Sequence, residues 1–337
     1  MIQKAINPYP FSFYGITSPS EGQSLALLII DELKTNSKQT KFKSFADGSF
    51  LFYNETTERD ADIYVFAQIR YGSPEERALD LVKLYYFVDA LKQASANRIT
   101  VIIPCMPDAR QDKPSNYREP VLVHHVGKVL KSMGADRLVV MKLHNVSSLT
   151  VFPMIQMINI LTDKLLVNYI ESKVKSGIID LSKTKIVAAD SGGVTEARNV
   201  ATRLKIPNQI VMINKYHDPA KTNHSEISNI IGDVSGYDVI IVEDMLDTCG
   251  TAKNSANELR KSGAKNIYII ATHALLNGKA INNLNEAKFD GIWVTDSCII
   301  TQEKIQNIKN LEVISVASLF AKVIDNLHNG ESVIDLL

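Results

Sequence analysis

Three stretches of the chain share one alternation of polar and apolar positions. LKQASANRITVIIP (91–104), LKSMGADRLVVMKLH (130–144) and LRKSGAKNIYIIATH (259–273) each pass from a helix end rich in small residues, through a basic or polar residue, into an Ile- and Val-rich run closing on Pro or His. These runs alternate too little for half-exposed strands, which predicts strands buried on both faces. Residues 75–94 (EERALDLVKLYYFVDALKQA) predict a crossover helix with an apolar stripe through Leu79, Val82, Tyr86 and Leu91. Strands alternating with helices predict a parallel sheet in βαβ units, and the first and third copies fall in different halves of the chain. The expected fold class is therefore α/β, with two tandem domains, each a mainly parallel sheet flanked by helices.

No tract has the composition of a flexible linker. The boundary is placed in the apolar segment from Phe152 to Leu161, before the helix containing DKLLVNYIESKV, giving domains at 1–158 and 159–314. The closing LEVISVASLFAKVIDNLHNGESVIDLL reads as strand, helix and short terminal helix, and 315–337 is expected to rejoin the first domain.

Composition narrows the class. At 337 residues the chain exceeds one typical core, and 45% hydrophobic against 22% charged residues leaves no long segment that must stay disordered. Basic and acidic residues balance at 37 each, so no global field favours nucleic acid. Cys105, Cys249 and Cys298 are odd in number and far apart, which argues for a reducing compartment and places the protein in the cytoplasm. The opening MIQKAINPYPFSFYG lacks a continuous apolar signal core, and other apolar runs fall short of a membrane span, so no membrane partner is expected.

The most informative segment is YDVIIVEDMLDTCGT (237–251). Val239 to Val242 predict a short buried strand with Glu243 and Asp244 at its carboxyl end, where open α/β sheets place their ligand crevice. Asp247, Thr248, Gly250 and Thr251 then form a hydroxyl-rich loop leading into a helix. Backbone amides and hydroxyls at a helix start make a phosphate cradle, and the adjacent acids suit vicinal ribose hydroxyls or a metal ion. Asp247 or Thr248 alone would be read as a helix cap. Two acids after a buried strand, with a second Thr, exceed what capping needs.

This segment resembles the signature of the type I phosphoribosyltransferase superfamily: a hydrophobic strand, two acids, two hydrophobic residues, then Asp-Thr-Gly-x-Thr. DARQDK (108–113), LHN (143–145), DSGGVTEAR (190–198), IIGDVSGYD (230–238) and ATH (271–273) narrow the resemblance to the ribose-phosphate pyrophosphokinases, in order from about residue 40 to the C-terminus. The resemblance implies two phosphoribosyltransferase-like domains, the first on the ATP side and the second on the acceptor side. It also implies self-association as a hexamer or dimer, with an ATP site spanning subunits.

By the same resemblance, Arg110, Gln111, Asp112 and His144 would bind ATP, with Phe45 and Asp47 approaching the adenine from a neighbouring subunit. His144 and Asp190 would bind Mg2+. Glu243 and Asp244 would hold the ribose hydroxyls, and the loop of Asp247, Thr248, Cys249, Gly250 and Thr251 the 5-phosphate. Lys215, His217 and Asp247 would be the catalytic group, Lys215 being carried by a flexible lid, INKYHDPAKTNHSE (213–226). Read without the resemblance, Arg110 and Asp112 are a surface ion pair, His144 a core histidine and Lys215 a solvated lysine.

Departures from the family pattern cluster at these positions. Asp47-Gly48-Ser49 stands where members usually read Asp-Gly-Glu, Lys215-Tyr216-His217 where they read Lys-Arg-Arg, and Lys142-Leu143-His144 where they read Asp-Leu-His. Cys249 stands where the loop has Gly, and its Cβ is expected to intrude on the phosphate cradle. Three activities are carried forward. The first is phosphoribosyl pyrophosphate synthesis from ATP and ribose 5-phosphate. The second is the same transfer to ADP-ribose, an NAD-metabolism activity of viral relatives. The third is a non-catalytic regulatory subunit. Retention of His144, Asp190, Lys215 and the set from Glu243 to Thr251 favours an enzyme.

Overall fold

The computed structural model describes residues 7–16, 24–36, 38, 40–54, 56–114, 116–151, 155–217 and 225–336. The chain divides into two compact units, Met1–Ile160 with Ser297–Ile299 and Ser315–Leu337, and Leu161–Asp296 with Ile300–Ile314.

The first unit contains strands β1 (Phe11–Ile16), β2 (Thr40–Ser44), β3 (Phe50–Asn54), β4 (Asp62–Ala67), β5 (Arg98–Ile103), β6 (Arg137–Met141) and β7 (Gln156–Ile160), with helices α1 (Leu25–Leu33), α2 (Pro74–Gln93) and α3 (Val123–Ser132). Its sheet is parallel, in the order β1-β4-β5-β6-β7, while β2 and β3 form a separate antiparallel hairpin. The repeated stretches at 91–104 and 130–144 supply β5 and β6, and β6 is buried along its whole length. The segment from Phe152 to Leu161 contains β7, which pairs with β6.

Helix α2 starts where local chemistry directs. The Ser73 hydroxyl accepts the Glu76 amide at 3.3 Å, Pro74 opens the first turn, and Glu75 and Glu76 face the positive end of the helix dipole. Its buried face is Leu84, Phe87, Val88 and Leu91; of the expected stripe Leu91 is buried and Val82 half-buried, while Leu79 is 40% and Tyr86 53% exposed. The difference comes from the hairpin. Phe50 of β3 meets Tyr86 at 5.1 Å between ring centroids, so this aromatic face of the helix seats β2–β3 instead of the sheet.

The second unit contains helices α4 (Asp163–Lys175), α5 (Val194–Arg203), α6 (Gly250–Lys261), α7 (Ala280–Ala287) and α8 (Gln302–Asn307). Its strands are β8 (Thr184–Ala188), β9 (Ile210–His217), β10 (Ser225–Ile231), β11 (Asp238–Leu246), β12 (Ile267–Ala274), β13 (Gly291–Thr295) and β14 (Leu311–Ile314). The sheet order is β10-β9-β8-β11-β12-β13-β14, parallel except for the antiparallel β9–β10 pair. The third repeated stretch supplies β12, buried at every position. Of the segment 213–226, expected as a flexible lid, residues 213–217 belong to β9 and 225–226 to β10, and residues 218–224 lie outside the described residues.

Helix α9 (Ala317–His328) belongs to the first unit and packs against α1, with Phe320, Val323 and Ile324 fully buried. Phe320 meets Phe66 of β4 edge-on at 5.7 Å. At its last residue, His328 Nδ1 lies 2.8 Å from the fully buried Asp62 carboxylate, which also accepts the Arg98 guanidinium at 2.7 and 2.5 Å. The Asn7 amide donates to the His328 carbonyl at 2.8 Å, closing the tie between the two ends of the unit.

Candidate active site

In the second unit the sheet register sets the site. Val242 of β11 pairs with Ala188 of β8, and Ala188 pairs on its other side with Met212 of β9. Asp190 and Asp244 thus each stand two residues past a paired position, and Lys215 three, along one carboxyl edge of three adjacent strands. Strand β11 is longer than the sequence suggests. It runs through Glu243 and Asp244 to Leu246, so the acids are held by ladder hydrogen bonds rather than by a loop. The reason is its central place between β8 and β12, which continues the pairing to Ala274. Glu243, Asp244 and Asp247 are half-buried, while Thr248 and Thr251 are exposed. The Asp190 Oδ1 accepts the Gly193 amide at 2.9 Å, which orients the carboxylate at the start of α5. For Lys215 and His217 only the backbone in β9 is described.

Cys249 takes the left-handed conformation, φ 59° and ψ 13°, just before α6. Its side chain is buried among the core residues of this unit, including Leu246, Ala252 and Leu276, and its thiol lies 3.6 Å from the Asp247 carbonyl. With this left-handed backbone the side chain lies in the core of the unit, not at its surface. A thiol at a helix start is often acidified. Here burial, reinforced by the Asp247 and Glu243 carboxylates, pushes it up to about 12. Cys249 is a packed thiol.

The loop is braced from behind by the chain after β12. Leu275 and Leu276 donate their amides to the Leu246 carbonyl at 2.9 and 3.0 Å, and the Asn277 amide donates to the Asp247 carbonyl at 3.0 Å. The Asn277 side chain donates to Asp247 Oδ1 at 3.0 Å, and Asn283 of α7 to the Thr248 carbonyl at 2.8 Å. Sequence reading missed both asparagines. The Asn277-Gly278 turn dipeptide was the available signal.

In the first unit the polar loops after β5 and β6 meet. Gln111 donates its amide to the Asp108 carbonyl at 2.8 Å, Asp108 is held by Arg77 of α2 at 2.8 Å, and Asn145 donates to Asp112 Oδ2 at 2.5 Å. Asp112 is therefore engaged across the two loops. Arg110, Gln111 and His144 are exposed, and Leu143 is fixed by its amide on Asn159 Oδ1 at 3.0 Å. Phe45 and Asp47 stand apart, exposed at the turn of the β2–β3 hairpin. There Ser49 donates to Asp47 Oδ1 through both its hydroxyl and its amide, holding that carboxyl below the usual range.

Two parallel α/β units, with polar loops at the carboxyl ends of their strands and an acid- and hydroxyl-rich helix start in the second, define an α/β enzyme of the phosphoribosyltransferase type. A family profile described as the N-terminal domain of ribose phosphate pyrophosphokinase matches residues 14–134, and one described as a phosphoribosyl synthetase-associated domain matches 216–337. Ribose-phosphate pyrophosphokinase 3 of Saccharomyces cerevisiae is 33% identical over 96% of this chain and 97% of its own length. The ribose-phosphate pyrophosphokinase of Fusobacterium nucleatum is 34% identical over 97% and 98%. The crystal structure of phosphoribosylpyrophosphate synthetase from Mycobacterium smegmatis superposes with a TM-score of 0.83 at 30% identity, covering 95% of this chain and 99% of that one. The chain belongs to the ribose-phosphate pyrophosphokinase family and is an enzyme of that type.

Among the described residues, no helix is long and apolar enough to cross a membrane.

Proposed function

We propose that this enzyme transfers the pyrophosphoryl group of ATP to the anomeric hydroxyl of ribose 5-phosphate, releasing AMP. One observation carries the choice of acceptor: the Cys249 side chain lies in the core, so the loop keeps its amides and hydroxyls open to a terminal phosphate. That geometry supports ribose 5-phosphate over an altered cradle taking ADP-ribose. The continuous set from Glu243 to Thr251, on an ordered strand and helix start, favours a catalytic subunit over a regulatory one.

In this reading Glu243 and Asp244 accept hydrogen bonds from the ribose hydroxyls. Asp247, Thr248, Gly250 and Thr251, with the Cys249 amide, hold the 5-phosphate at the start of α6. Arg110, Gln111, Asp112 and His144 bind ATP, with Phe45 and Asp47 contributed by another copy. The exposed aromatic hairpin around Phe42 and Phe45 fits such self-association. The anomeric oxygen attacks the β-phosphorus and loses its proton. The bond from that phosphorus to the α,β-bridging oxygen breaks, and AMP leaves with the electron pair. Lys215 is assigned to neutralise the charge on the transferred group, and His217 and Asp247 assist as hydrogen-bonding partners.

Magnesium fits Asp190, because a hard cation takes oxygen donors. A Cβ on Gly192 would lie 3.2 Å from Asp190 Oδ1, so glycine keeps the approach to this carboxylate open. By the family resemblance Asp190 and His144 are each assigned to magnesium, which when bound would supply charge neutralisation of the triphosphate. None of the three cysteines is in a disulfide, which fits a reducing, cytoplasmic setting.

The test is AMP release from ATP and magnesium, with ribose 5-phosphate and ADP-ribose offered separately and products identified by mass. AMP with ribose 5-phosphate supports the reading. AMP with ADP-ribose alone, or with neither, overturns it.

A further inference from the structure

The turn after β12 is built at a conformational cost. Leu276 has φ 54°, a left-handed conformation that a branched apolar residue rarely adopts, and Gly278 two residues on has φ 56°. Leu276 is held in that state from both sides: it is 2% exposed in the core of the second unit, and its amide donates to the Leu246 carbonyl. The product of this geometry is the placement of Asn277. Its backbone amide and its carboxamide both reach Asp247, at 3.0 Å to the carbonyl and 3.0 Å to Oδ1. A capped helix start needs neither bond, since Asp247 precedes α6 by three residues. Asn283 repeats the arrangement one residue along, on the Thr248 carbonyl.

We propose that Asn277 is a positioning residue of the acceptor site, fixing the Asp247 carboxylate so that the other groups of the loop meet the sugar phosphate in one geometry. The assignment rests on the reading of the Asp247 loop as the ribose 5-phosphate site. A carboxylate on a loop next to a phosphate-binding helix start experiences repulsion from the ligand it helps to seat. An amide donor on Oδ1 holds it at a fixed angle and disperses part of its charge. Asn277 touches no reacting atom in this scheme and acts only through Asp247.

The experiment is isothermal titration of ribose 5-phosphate into the full-length enzyme, together with KM for ribose 5-phosphate and for ATP. Variants are Asn277→Ala, Asn277→Asp, Asp247→Ala and the Asn277→Ala/Asp247→Ala double. Losing a hydrogen bond to a charged group is expected to weaken ribose 5-phosphate about tenfold in Asn277→Ala. Asn277→Asp, equal in size but without the donor, is expected to lose at least as much. The KM for ATP stays within about twofold, because that interaction is not involved. In the Asp247→Ala background the Asn277 change adds nothing, as coupling through one partner requires. Full additivity of the two losses, or an equal rise in the KM for ATP, overturns the proposal. If the unmodified enzyme neither binds ribose 5-phosphate nor releases AMP, the reading of the loop fails instead, which separates the two failures.

Discussion

The packed state of Cys249 has a consequence for stability that can be worked out in sign and size. Its thiol is raised from 9.0 to about 12 by burial and by the neighbouring Asp247 and Glu243 carboxylates. Between those values the unfolded chain releases the proton and the native chain does not. The unfolded state then binds fewer protons, and the unfolding free energy falls as pH rises. Integrated over the shift, the native state loses almost nothing by about pH 8 and on the order of 1 kcal/mol by about pH 10. Cys249→Ala lacks the group, while the buried tyrosines that also titrate in alkali are common to both proteins. The single tryptophan, Trp293, is 1% exposed in the same unit and reports its unfolding. Urea unfolding followed by Trp293 fluorescence should therefore show the advantage of the unmodified protein over Cys249→Ala shrinking by on the order of 1 kcal/mol across that pH range. A gap that widens with pH would mean that the α6 amides stabilise a thiolate, and a constant gap that burial leaves the thiol unshifted; either result would refute the packed-thiol reasoning.

Other outcomes follow from the same geometry. Asn145→Ala removes the bond that joins the loops after β5 and β6 through Asp112, and is expected to raise the KM for ATP several-fold with little change in that for ribose 5-phosphate, as steady-state kinetics will read. Leu276→Gly relieves a left-handed backbone but deletes a core side chain, and the second effect wins, costing about 2 kcal/mol in the same fluorescence assay. Ser49→Ala removes a hydroxyl from Asp47 and should let that carboxyl titrate higher, seen by NMR of the side-chain carbon; an unmoved titration would assign the effect to the backbone amide alone. Chelation of magnesium is expected to abolish AMP release and its re-addition to restore it.

The buried strands β5, β6 and β12 were legible because their apolar runs are long, local and bounded by small residues and by Pro or His. The site on β11 was legible for the same reason, as its acids and hydroxyls lie in one continuous stretch. What escaped notice depends on partners far along the chain. Asn277 and Asn283 brace residues 30 and 35 positions away, and only the folded sheet brings them together. The polar residues at the two ends of 213–226 read as loop until β9 and β10 pair across the sheet edge. Tyr86 was counted with the sheet-facing stripe of α2 because its pattern could not reveal that a hairpin covers that side. The inward turn of Cys249 required its φ, which identity alone does not give.

The tie formed by Asp62, His328 and Asn7 has a bearing on how the protein is made. Phe66, stacked on Phe13 in the first sheet, is covered by Phe320 of α9, which leaves the ribosome only after the whole second unit has been synthesised. Through that interval the first unit has all its strands but lacks the helix that closes one face. Its apolar surface is then open to chaperones and to neighbouring chains. A message truncated before residue 317 would yield a product that is permanently in this open state, so loss of a short distal segment would mark almost the entire polypeptide for removal.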